Sequence, residues 1–175
     1  MSPSQTASFL KPGSTYIPPA SSFFFGQPIH QTSLIDFLPS RLAADRLIKQ
    51  YFAAVHEIAQ CLHRPSFERE YENFWEEVSL GIEPPSSVQA IVFAAMFSGV
   101  VSMDEAVIWR DFGVSKDSLI DNFKLGTETA LGRANFLRTT KVETLQAFIM
   151  YLVSVACVFL RQKQIIKTRY PTKYQ

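Results

Sequence analysis

The chain has 175 residues, 47% of them hydrophobic and 19% charged, which is the composition of one soluble domain able to bury a core. A formal net charge of +1 excludes the strong basic excess that draws a domain onto a phosphate backbone. Its two cysteines, neither in a CxxC pair, exclude a two-metal cluster held by six thiolates, and without a basic segment and apolar run after Met1 no secretory signal is expected.

Residues 1–37 are rich in Ser, Pro, Thr and Gln. Pro12, Pro18, Pro19 and Pro28 interrupt any helical period, so the segment reads as a disordered leader carrying one apolar cluster, Phe23, Phe24 and Phe25. Ser40 then offers a helix cap. Ala44, Ile48, Tyr51, Phe52, Val55, Ile58 and Ala59 recur on one helical face with Arg41, Asp45, Lys49 and His56 opposite, and the spacing predicts an amphipathic helix ending near Gln60. Pro65 suits the first turn of a second amphipathic helix, marked by Phe67, Tyr71, Phe74 and Trp75, with Glu68, Glu70, Glu72, Glu76 and Glu77 as its solvated side.

Pro84 and Pro85 break the chain again. Ser86 and Gln89 match a capping box ahead of Val88, Ile91, Val92, Ala95, Met96 and Val100, and this almost uncharged helix is expected at the centre of the domain. A polar turn follows, then a cap at Ser115 ahead of Leu119, Phe123, Leu125, Leu131 and Phe136, where Gly126 and Gly132 weaken the helical period. Thr140 and Glu143 form a further capping box before Val142, Leu145, Phe148, Ile149, Leu152 and Ala156. With neither strand-like alternation nor an internal repeat, the expectation is an all-α, irregular helical bundle.

No reacting constellation emerges. His56, Cys61 and His63 lack the i, i+4 spacing and the closing cysteine pair of a zinc site, and carboxylates on a solvated helix face lack the pocket that raises an acid's pKa. No nucleophile elbow, phosphate loop or dinucleotide fingerprint is present, so no catalytic, cofactor-binding or metal residue is assigned and the chain is not expected to be an enzyme. Thr144 to Leu160 carries no charge, which makes a membrane anchor the alternative reading, although Thr144, Gln146 and Ser154 suit a core helix better. Arg161, Lys163, Lys167, Arg169 and Lys173 read as a solvated basic tail.

The run Leu62-His63-Arg64-Pro65-Ser66-Phe67, followed by Tyr71 and Trp75, resembles the fungal-specific transcription factor domain, the middle regulatory region of fungal zinc-cluster (Zn2Cys6) factors. The likeness extends from about Leu38 to Leu152, the N-terminal part of that region only. It implies that Leu62, His63, Arg64, Pro65, Phe67, Tyr71 and Trp75 form a structural family motif. It divides the chain into a leader (1–37), a partial regulatory domain (38–152) and an atypical helical or basic tail (153–175). It also implies transcription regulation in the nucleus through protein partners, either a full-length zinc-cluster factor or the chain itself. The family's zinc cluster, which would read DNA, is absent from these residues, so no cofactor and no direct DNA or membrane binding is expected.

Two features depart from the family pattern. Glu57 follows His56 where the family commonly has proline, and the sequence after Leu152, VSVACVFLRQKQ, does not continue the family's helices. A translated intron beginning at Val153-Ser154 would account for the second, a hypothesis that transcripts retaining the tail in register would remove. A truncated domain leaves apolar faces open, so marginal stability or self-association is expected.

Overall fold

The computed structural model describes residues 34–169; the leader reading for residues 1–33, with its phenylalanine cluster, and the tail residue Lys173 lie outside the described residues. Six α-helices and no strand are found there: α1 (Arg41–Gln50), α2 (Arg64–Ser79), α3 (Ser86–Ser102), α4 (Glu105–Phe112), α5 (Lys116–Arg133) and α6 (Val142–Arg169). The all-α expectation holds.

Helix α3 forms the axis of the bundle. Every residue from Ala90 to Val100 is buried, because α1, α5 and α6 pack around it and leave no side for a charge to reach water. Its expected cap does not form. Ser86 is already helical, and the Gln89 side-chain Nε2 instead donates to the Pro84 carbonyl at 2.5 Å, holding the entry turn from inside the core.

Helix α1 begins as expected, with the Ala43 amide donating to the Ser40 hydroxyl oxygen at 3.4 Å. Past Gln50, however, Tyr51–Val55 continue as a single π-turn in which the His56 amide reaches the Tyr51 carbonyl at 2.9 Å. Such a turn adds a residue to the ring and rotates the face that follows. Tyr51 and Phe52 are therefore buried, whereas Ile58, placed on the core face by a regular period, is 88% exposed. Leu47, which that reading omitted, is fully buried.

Three further expectations are corrected. The polar turn after Met103 contains α4, capped by Asp104 Oδ1 accepting from the Ala106 amide at 2.8 Å; one buried anchor, Ile108, is too little apolar period to read in a sequence. Helix α5, capped by Ser115 accepting from the Ser118 amide at 3.2 Å, runs through both glycines. A Cβ on Gly126 would lie 2.8 Å from the Phe93 ring, so this glycine sets how closely α5 approaches α3 and offsets its helix penalty of about 1 kcal/mol. Finally, α6 starts one residue later than the Thr140 box requires, and the turn is held by the Lys141 amide on Thr139 Oγ1 at 3.2 Å.

A hydrogen bond reaches back across position 37, and one helix spans position 152. Leu34–Phe37 form a 3-10 turn, Leu34 is only 3% exposed within the core, and Asn122 on α5 donates to the Phe37 carbonyl at 3.4 Å. Helix α6 passes through Leu152 and Val153 without interruption.

Candidate functional site

The motif residues meet where α2 crosses the end of α1. Leu62 is buried beneath the turn, and Pro65 occupies the first turn of α2, where its missing N–H leaves no bond unmade. His63 Nδ1 lies 2.8 Å from the Ser66 hydroxyl, fixing the imidazole over the helix start. The Arg64 guanidinium sits 4.9 Å from the centroid of the Phe52 ring and donates to Glu68 at 2.7 Å, so its cation is spent on an aromatic face and an i, i+4 carboxylate.

Below this turn the rings form a continuous ladder. Phe52 meets Phe67 edge-on at 5.6 Å, Phe67 stacks on Tyr71 at 5.9 Å, and Tyr71 meets Trp75 edge-on at 6.2 Å. Phe67 and Tyr71 are buried and Trp75 is half-buried. The Tyr71 hydroxyl donates to Asp45 Oδ1 at 2.8 Å, which ties α2 to the polar flank of α1. Burial, and then this carboxylate, hold the Tyr71 hydroxyl proton well above the ordinary phenol range. Phe67, Tyr71 and Trp75 are thus engaged in packing, whereas His63, Arg64 and Pro65 lie exposed at the turn.

The other candidates are placed separately. His56 packs against Phe52 at 5.1 Å, while the Cys61 carbonyl accepts from Gln146 of α6 at 2.7 Å. Among the described residues no group of three His, Cys, Asp or Glu side chains is arranged to hold a metal. Glu68, Glu72 and Glu76 are exposed and Glu77 is half-exposed, while the half-exposed Glu70 carboxyl is held above its usual range first by burial and then by the Glu143 charge.

Sequence reasoning missed Lys116. It is 5% exposed, and its ammonium donates to the Val101 carbonyl at 2.9 Å and to the Met103 carbonyl, closing the C-terminal end of α3. Burial, and then Arg161 nearby, lower its pKa. A lysine separated by 13 residues or more from the carbonyls it caps leaves no local sequence signal.

A cleft of about 580 Å³ opens between α5 and the second half of α6, floored by Phe97, Ile120, Val155 and Phe159 and rimmed by Asp117 and Arg161. Those two charges already pair at 3.5 Å, and Arg161 also bonds Glu105 at 3.0 Å. Helix α6 from Val142 to Lys163 is long and apolar enough to cross a membrane, with a mean hydropathy of 1.8. The membrane reading of residues 144–160 is nevertheless not favoured. Tyr151 donates to Glu128 at 2.5 Å, Ser154 and Ser98 share a buried hydrogen bond at 2.8 Å, and Arg161 is held as above, so the helix is fastened along its length to α3, α4 and α5.

No family model and no solved structure matches the chain. Curated proteins do. The chain is 32% identical over 125 residues to the aurofusarin cluster transcription factor aurR2 of Gibberella zeae, covering 71% of this chain and 18% of that protein. It is 34% identical over 113 residues to the C6 finger domain transcription factor nscR of Arthroderma gypseum, covering 62% and 15% respectively. With the pyriculol/pyriculariol biosynthesis cluster transcription factor 1 of Pyricularia oryzae it shares 25% identity over 155 residues, which is 89% of this chain and 19% of that protein. The chain thus spans under a fifth of each of these three proteins.

Proposed function

Because the chain is homologous to one segment of the fungal zinc-cluster, or C6 finger, transcription factors, we propose that it serves transcription regulation as part of their helical regulatory region. It acts by protein contact in the nucleus, and neither reads DNA nor catalyses a reaction. The observation that supports this reading is what the chain holds: two cysteines and a net charge of +1 over its 175 residues, with Phe67, Tyr71 and Trp75 given over to packing. Such a segment offers an operator neither thiolates for a zinc cluster nor a basic face. It offers partners a helical scaffold whose outer apolar residues are available.

The test is to fuse the chain to a heterologous DNA-binding module ahead of a reporter and, in parallel, to capture it with a tagged full-length zinc-cluster factor. The expected result is a change in reporter output on fusion, capture of the full-length factor, and no retention of duplex DNA by the chain alone at physiological salt. Salt-sensitive DNA binding by the chain alone, or an unchanged reporter together with no capture, would overturn the reading.

A further inference from the structure

The cleft of about 580 Å³ between α5 and the second half of α6 has the size of a small-molecule site, which runs from about 300 to 1,000 Å³. Helix α5 supplies one wall, Asp117, Ile120, Asp121 and Lys124, and α6 the other, Val155, Val158, Phe159 and Gln162. Both sets follow the i, i+3, i+4, i+7 spacing, so each wall is a single helix face. At the base Phe97 of α3 is fully buried and Ile120 is buried beside it, which makes the floor rigid and leaves it without a hydrogen-bonding group. The body of a ligand there must be apolar, and a flat ring suits a floor that carries two phenylalanines.

The rim charges decide the sign of its polar end. Arg161 already holds Glu105 at 3.0 Å and Asp117 at 3.5 Å, and Lys124 has Glu128 at 4.0 Å. An entering anion would have to take one of these cations from its carboxylate. Asp121, in contrast, is exposed on the cleft wall, and among the described residues no cation pairs with it. The Phe159 ring is also a face for positive charge, since the Lys163 ammonium lies 5.3 Å from its centre.

We propose that this cleft binds a small aromatic amine, its ring against Phe97 and Phe159 and its ammonium on Asp121. The proposal goes beyond the protein-contact reading and fails separately from it, because capture of a full-length factor requires no ligand in the cleft.

The probe is tryptamine, titrated into the full chain and followed by backbone amide shifts in nuclear magnetic resonance. Indole-3-propionate, with the same ring and the opposite charge, is the matched control. Saturable shifts centred on residues 117–124 and 155–162 are expected at sub-millimolar tryptamine, with indole-3-propionate at least about tenfold weaker. Asp121→Asn, at an exposed position, is expected to weaken tryptamine about threefold and to remove the salt dependence of its binding. Val158→Trp, which fills the cleft from its half-buried wall, is expected to abolish binding; if it misfolds, the Asp121 variant decides. No saturable shift at millimolar tryptamine, equal binding of the propionate, shifts centred elsewhere, or an Asp121→Asn chain that binds as the wild type does would each overturn the assignment.

Discussion

Gly99 of α3 lies directly against the Leu47 carbonyl of α1. A Cβ on Gly99 would stand 3.2 Å from the Leu47 carbonyl carbon and closer still to its oxygen, with backbone rather than a yielding side chain in the way. Gly99→Ala therefore gains about 1 kcal/mol of helix propensity and loses more by forcing α1 and α3 apart. The expected net result is destabilisation of about 1–3 kcal/mol, read as a lower urea midpoint. Gly132→Ala, with nothing within 4 Å of its Cβ, is the matched control and is expected to stabilise.

The ring ladder is the second test. Phe67→Ala removes the side chain that stacks on Tyr71 and meets Phe52, and is expected to cost about 3–5 kcal/mol. Tyr71→Phe keeps the stack and deletes only the bond to Asp45, an expected cost of about 0.5–1.5 kcal/mol. Denaturant melts of the two variants separate packing from tethering. Equal losses would contradict the description of α2 as fastened mainly by its rings.

At the N-terminal edge, Leu34→Ala is expected to cost about 2–5 kcal/mol, because the residue is 3% exposed in the core. A chain starting at Leu38 should lose at least as much. Thermal melts of the two would show whether the folded unit begins before Leu38.

High pH is the fourth. Tyr51, Tyr71 and Tyr151 all have hydroxyl pKa values raised above 10.0, first by burial and then by the Cys61, Asp45 and Glu128 groups respectively. Between the unfolded and folded values the folded chain holds protons that the unfolded chain has released, so stability is whole below about pH 10 and falls as pH rises beyond it. Lys116 works the other way. Its lowered value means the unfolded chain binds the extra proton, so its contribution improves as pH rises toward 10.5. With three groups against one, urea midpoints should drop above pH 10, and Tyr151→Phe should make the drop shallower.

Much of this architecture was legible in the chain. The uncharged run of α3 announced the centre of the bundle, Ser40 and Ser115 announced two caps, and the aromatic spacing from Phe67 to Trp75 announced the buried side of α2. The misreadings have local causes. A π-turn at Tyr51 shifts one hydrogen bond and turns Ile58 outward, and two capping boxes matched residue types without matching the helix starts at Ser86 and Val142. The candidate site divides in the same way. The motif residues were visible as a pattern, but their partners Asp45 and Phe52 lie on another helix, and the cap that Lys116 supplies to α3 links residues distant in sequence.

From sequence alone came the helical class, the approximate helices and the kinship, since period, punctuation and residue identity are properties of neighbouring positions. Which face of a helix is covered is not such a property. Helix α6 carries two apolar stripes of nearly equal merit, and α3, by accepting Ala147, Tyr151 and Ser154, leaves Leu145, Ile149 and Leu152 in water. Burial is a relation between distant segments competing for the same apolar surface, and only the assembled bundle states which segment took it.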